Sequence, residues 1–260
     1  MGDRIVQIDD YSKASYYVEP HFNDTKLSSA TCFFLRNEGD IFLITNWHVV
    51  TGKNPNTGMC LRSDGAIPNN LVISLFDEKS EYAKWIEYRV ELYDANGDKI
   101  WHEHPSYKEK IDAVAIKINI PSDNYLVFPV NELEEPFNET TVANVSDDVF
   151  VLGFPFGIKA GGNLPIWKRA SLASEPDVNM DDLPKIFIDT ASRSGMSGSP
   201  VIYKQRRPVT VLDQAEQKIS RYFTKFIGVY SGRIGTDDEL KAQLGIVWKA
   251  SAISEIIASV

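Results

Sequence analysis

Short apolar runs separated by turn residues dominate the pattern of this chain. Residues 33–35, 41–45, 71–76, 87–93, 114–118, 149–152, 186–188, 201–203, 209–212, 226–230 and 245–248 each read as a strand. Asn96-Gly97 and Ser63-Asp64-Gly65 are turn signals between them. Many short strands with little helix predict an all-β sandwich or barrel. Helical periodicity is strong only at 250–260, which predicts a closing helix. A helical turn is also predicted within 209–222, because Asp213-Gln214-Ala215-Glu216-Gln217 is a good helix former. Residues 121–145 carry three prolines and the acidic stretch Glu132-Leu133-Glu134-Glu135. This segment reads as a linker between two units, 1–125 and 126–260; the other reading is a long surface loop within one sandwich.

Composition narrows the function classes. The net charge of −9 over 260 residues argues against a nucleic-acid footprint. No run is apolar and long enough to predict a membrane span. The opening Met1-Gly2-Asp3-Arg4-Ile5-Val6 lacks a basic segment followed by an apolar stretch, so no secretion leader is expected. Cys32 and Cys60 are the only cysteines. Both are expected to be reduced, which predicts a cytoplasmic protein. His, Cys and acidic residues do not cluster at zinc-like spacings, so neither a metal nor an organic cofactor is expected.

The chemistry centres on Ser194-Gly195-Met196-Ser197-Gly198-Ser199-Pro200. A serine between two glycines, just after a β-type run, suits a nucleophile. The first glycine permits a tight turn and the second leaves room for a substrate. The N–H groups of Gly195 and Ser197 can then converge on one point, which makes an oxyanion hole. Upstream, the apolar run 41–47 leads into His48, and Asp112 opens the apolar run 113–116. Serine, imidazole and carboxylate each have a role in acyl transfer, which predicts Ser197 as the nucleophile, His48 as the group that moves the proton and Asp112 as the group that orients His48. The other histidines, His21, His102 and His104, sit in polar, unpatterned surroundings and read as surface residues.

The order His48, Asp112, Ser197 and the motifs around them resemble the trypsin/chymotrypsin-fold serine peptidases, within them the bacterial HtrA-like and trypsin-like peptidase domain group. Cys32-Phe33-Phe34-Leu35 is similar to the strand that opens the first barrel of that family. The segment 147–157 is similar to the strand-turn that opens the second. Ile227-Gly228-Val229-Tyr230-Ser231-Gly232 resembles the strand lining the cleft, and 244–249 the final barrel strand.

The resemblance implies two six-stranded antiparallel β-barrels with a C-terminal helix, and endopeptidase cleavage of a protein or peptide substrate. It implies that Ser231 donates a second hydrogen bond to Asp112. It also implies a pocket built from Ala191, Ser192, Ser231, Gly232 and Gly245, small and uncharged. Arg233 follows that strand and offers an alternative, acid-accepting pocket if it turns inward. Asp189 reads as a strand-end residue. Met196 stands where digestive relatives carry the aspartate that receives a new N-terminus, so activation by N-terminal cleavage is not expected. Restraint by narrow specificity, loop disorder or a regulatory partner is expected instead. Two other readings stay open: a catalytically silent peptide-binding module on the same fold, and a phage or viral processing peptidase.

Overall fold

The computed structural model describes residues 8–79, 84–134, 143–191, 193–212, 216–233 and 244–260, with side chains of 207–221 and 233 left aside. A short helix α1 (Asp10–Lys13) precedes β1 (Ser15–Phe22), β2 (Thr25–Lys26), β3 (Ala30–Asn37) and β4 (Asp40–Thr45). After helix α2 (Trp47–Thr51) come β5 (Asn70–Asp77), β6 (Trp85–Glu91), β7 (Val114–Ile118) and β8 (Tyr125–Leu126). The second half holds β9 (Asp148–Gly153), β10 (Ile166–Leu172), β11 (Lys185–Asp189), β12 (Ser199–Leu212), β13 (Glu216–Arg233) and β14 (Leu244–Lys249), then helix α3 (Ala250–Ala258).

The strands form two antiparallel units. The first runs β6-β5-β1-β3-β4-β7, with β2 and β8 on its margin. Among the described residues no ladder joins its end strands β6 and β7, and the segment between them reaches β7 only through the isolated pair His102–Ala115, so it is a half-barrel rather than a fully closed one. The second is a closed six-stranded barrel, β10-β11-β14-β13-β12-β9. The 125/126 seam lies inside β8, which pairs with β5. The crossing from first unit to second falls between β8 and β9.

Alternation along the strands explains why both faces of β3 and β4 are apolar. Cys32, Phe34 and Leu43 fill the half-barrel together with Tyr16, Leu71, Ile73 and Ile116. Phe33, Leu35, Phe42 and Ile44 point the other way and pack on Leu152, Ile202, Phe226 and Trp248 of the second unit. A strand buried on both faces reads as a continuous run, which is what 32–35 and 41–44 show. Helix α3 closes the seam by burying Ala252, Ile253, Ile256 and Ile257 in the same cluster. Each buried isoleucine there is worth about 1.5–3 kcal/mol. The barrel has its own core of Val149, Val151, Ile186, Ile188, Val201, Tyr203 and Val247, joined by Met196.

One expected element is different. Glu216 and Gln217 lie in β13, paired with Leu212 and Val211 of β12, and form no helical turn. Continuous antiparallel pairing of two long strands outweighs a local helix preference of a few tenths of a kcal/mol per residue.

Candidate active site

His48 sits in a helical turn. The strand β4 stops at Thr45, Asn46 holds extended backbone, and α2 begins at Trp47. Gly52 ends that helix in the left-handed region at φ 64°, where its N–H meets the His48 carbonyl. The sequence had placed His48 at the end of a strand; the turn to helix lifts it off the sheet and toward the second unit. Asn46 also fixes the neighbouring element, because its Nδ2 donates to the Asp112 carbonyl at 2.6 Å. The sequence reading missed this role, and its signal was a polar residue closing an apolar run.

Asp112 precedes β7 by two residues and its side chain is 4% exposed. Its Oδ1 accepts the His48 backbone N–H at 2.9 Å, and its Oδ2 lies 2.7 Å from His48 Nδ1. Ser231 Oγ donates to the same Oδ2 at 2.5 Å. Ser231 is free to do so because the β13–β14 register shifts between Tyr230 and Gly232, leaving it outside the ladder. Such a bulge re-aims a side chain.

These contacts set the charges. Burial opposes protonation of His48, but the Asp112 carboxylate outweighs it and holds the imidazole above its ordinary value. Burial likewise pushes the Asp112 carboxyl up. The positive charge of His48 and the hydrogen bonds from His48 and Ser231 outweigh that and hold it below the usual carboxylate range.

Ser197 stands at the entry to β12 on a loop tied to both units. Its carbonyl accepts the Thr31 N–H at 2.8 Å, and the next N–H, of Gly198, bonds the Tyr230 carbonyl at 2.9 Å. Gly198 is at φ 83°, and a Cβ there would stand 2.0 Å from the Thr31 carbonyl oxygen. Gly195 is at φ 91°, and a Cβ would stand 2.2 Å from the Phe154 carbonyl oxygen. Neither glycine tolerates a side chain, which is the physical content of the Gly-x-Ser-Gly pattern. Thr31 Oγ1 donates to the Gly195 carbonyl at 2.9 Å, and the Phe156 N–H bonds the Ser194 carbonyl at 2.6 Å. With those carbonyls turned away, no acceptor among the described residues takes the N–H of Gly195 or Ser197. Met196 is 1% exposed and anchors the loop in the barrel core.

His48 and Ser197 face two adjoining cavities. The smaller, about 190 Å³, also has Gly195, Val49, Leu27, Leu61 and Pro68 in its wall. The larger cleft, about 930 Å³, adds Asp112, Ser231, Gly232, Phe156, Ile246 and Trp248. No hydrogen bond joins Ser197 to His48 among the described residues.

The expected pocket residues are dispersed. Ser231 and Gly232 line the larger cleft. Gly245 is buried, and a Cβ on it would meet the ring of Tyr230 at 2.5 Å and Ile188 and Thr190 at 3.2 Å. Tyr230 therefore occupies the space beside Gly245. Ala191 is half-buried and lines neither cavity, Asp189 is exposed at the end of β11, and Ser192 lies outside the described residues, as does the side chain of Arg233. His104 differs from its expected surface placement. It is fully buried, its Nδ1 accepts the N–H groups of Ser106 and Tyr107, and its Nε2 lies 3.0 Å from Glu255 of α3. Cys32 is buried and Cys60 exposed, and neither is in a disulfide. No helix among the described residues is long and apolar enough to cross a membrane.

Comparison with solved structures returns the same architecture. A serine endoprotease from Yersinia pestis aligns over 98% of this chain and 67% of its own, with 11% identity and a TM-score of 0.52. A thermostable serine protease, AL20, from an extremophilic microorganism aligns over 96% of this chain and 98% of its own, with 10% identity and a TM-score of 0.51. At such identities the likeness is one of fold. Comparison with curated protein sequences finds no match. The model of the trypsin-like peptidase domain matches residues 30–211, a stretch that contains His48, Asp112 and Ser197, and the chain belongs to that family.

Proposed function

We propose that this protein is a serine endopeptidase acting through an acyl-enzyme. The observation that carries the reading is the chain of contacts Ser231–Asp112–His48, whose imidazole opens into the same two cavities as Ser197. Ser197 Oγ attacks the scissile carbonyl and gives its proton to His48 Nε2. The imidazolium is stabilised by Asp112, which stays ionised. Negative charge on the substrate oxygen is met by the N–H groups of Gly195 and Ser197. His48 then protonates the leaving amine, and water repeats the sequence to release the acyl group.

The two free thiols fit a reducing compartment, and the cytoplasm is the proposed location. Met196, buried in the barrel core, stands where digestive relatives carry an aspartate and cannot form its ion pair with a new N-terminus, so the proposed enzyme needs no N-terminal cleavage for activity. The test is incubation of the purified full chain with a proteome-derived peptide library, followed by mass spectrometry of new termini. New termini that are absent with Ser197→Ala support the reading. An identical pattern with and without Ser197 refutes it.

A further inference from the structure

The protein carries a net charge of −9, yet its larger cleft is lined by three cationic side chains, Lys110, Lys185 and Arg193. The only carboxylate among the described lining residues is Asp112, and both its oxygens are engaged by His48 and Ser231. Lys110 comes from the half-barrel side, in the exposed turn before Asp112, and forms no ion pair among the described residues. Lys185 opens β11 on the barrel side.

Lys185 is 13% exposed and is paired at 2.7 Å with Asp181, which is 72% exposed. Its side chain is thus mostly sunk in the wall, while its partner is largely in water. Arg193 stands four residues before Ser197, and its field reaches Lys168 on β10. Burial, helped by that field, holds the Lys168 amine below its ordinary value. The acids of the neighbouring loop, Glu175, Asp177, Asp181 and Asp182, are exposed, and none of them lines the cleft. A groove with cations on both walls and, among its described lining residues, no unengaged carboxylate attracts negative side chains.

We propose that the larger cleft selects peptide segments carrying Asp or Glu close to the scissile bond. This names the substrate class of the site and rests on the endopeptidase reading for the bond that is cut. Lys110 and Lys185 meet the acidic side chains from opposite walls, and Arg193 adds to the field next to the nucleophile. Lysine or arginine at the same substrate positions is repelled.

The test separates binding from cleavage. Fluorescein-labelled peptides bearing Asp and Glu, and matched peptides bearing Asn and Gln, are titrated by anisotropy against the full-chain Ser197→Ala protein. An exposed ion pair contributes up to about fivefold in affinity. With two walls engaged, the acidic peptides are expected to bind roughly tenfold tighter at about 0.1 M salt. The advantage should largely vanish near 1 M, where the screening length falls to about 3 Å. Lys110→Gln should reduce the advantage by several-fold, and Lys110→Gln with Lys185→Gln should remove most of it. Lys110 is exposed, so the single variant keeps the test valid if the double variant does not fold. Equal binding of acidic and amide peptides overturns the proposal, as does an acidic preference untouched by Lys110→Gln. Failure of the peptidase reading shows separately, as no reaction of wild-type Ser197 with a fluorophosphonate probe, and leaves the binding result to stand by itself.

Discussion

Replacing Asp112 by Asn preserves shape and removes the charge that organises the site. Asp112 accepts three hydrogen bonds, from His48 N–H, His48 Nδ1 and Ser231 Oγ, and all three donors point at it. An amide can accept at only one of its two positions. With Oδ1 kept on the His48 backbone N–H, Nδ2 faces His48 Nδ1 and donates to it. The imidazole is then held with its proton on Nε2, the atom that must receive the proton of Ser197. Turning the amide over sets Nδ2 against the backbone N–H, donor against donor. In the related Ser-His-Asp arrangement this change lowers kcat by about 10⁴. The same factor, about 5.5 kcal/mol at 1.36 kcal/mol per tenfold, is expected here.

The pH profile gives an independent readout. His48 is held above the ordinary imidazole value of about 6.5 by Asp112, so wild-type kcat/KM should rise through a midpoint above that value. In Asp112→Asn the residual activity should rise through a lower midpoint. Folding stability should follow the same pair. The Asp112 contribution is present above about pH 3.9 and is lost as pH falls through its depressed folded value. The His48 contribution is complete below about pH 6.5 and is lost as pH rises through its raised folded value. The stability gap between wild type and Asp112→Asn should therefore be widest between about pH 4 and 6.5. The assays are steady-state cleavage of a fluorogenic peptide against pH, with the enzyme quantified by an active-site titrant, and urea denaturation. A variant within tenfold of wild type at neutral pH, with an unmoved midpoint, would refute the reasoning.

Further outcomes follow from single contacts. Ser231→Ala removes one hydrogen bond to a charged carboxylate, worth about 1.5–3 kcal/mol, so kcat/KM in the same assay should fall tenfold or more. Gly198→Ala combines a φ of 83° with a Cβ 2.0 Å from the Thr31 carbonyl oxygen, and should cost at least about 2 kcal/mol in urea denaturation. Ser199 Oγ is buried with no partner among the described residues, so Ser199→Ala should leave stability unchanged or raise it by up to about 1 kcal/mol in the same experiment. A chromogenic thiol reagent should modify one thiol per native chain, Cys60, and two after denaturation. Burial keeps Cys32 inaccessible and pushes its thiol up.

The all-β class and the closing helix were legible because burial leaves a period. Strand runs such as 71–76 and 149–152 carry their own pattern, and Ile253, Ile256 and Ile257 lie on one helical face. The tight loop around Ser197 was legible from Gly195 and Gly198, neither of which has room for a side chain. What failed was information carried by pairing across the chain. Pairing with β12 takes Glu216 and Gln217 into a strand against their local helix preference, since a ladder is invisible in local propensity; 213–215 lie outside the described residues. The expected pocket at Gly245 is met by the ring of Tyr230, a residue fifteen positions earlier whose direction depends on the register of β13 with β14. His104 looked polar in sequence and is buried by α3, a contact across 151 residues. Lys110, Lys185 and Arg193 meet at one cleft only after both units are in place.

The central claim is that His48 and Asp112 make Ser197 an activated nucleophile. The most direct measurement is the reaction of the native full chain with a fluorophosphonate probe, with the labelled residue located by peptide mass spectrometry. The account predicts one label per chain, on Ser197, lost in Ser197→Ala and strongly slowed in His48→Ala. No label on the folded wild-type chain, or a label on any other serine, would contradict it.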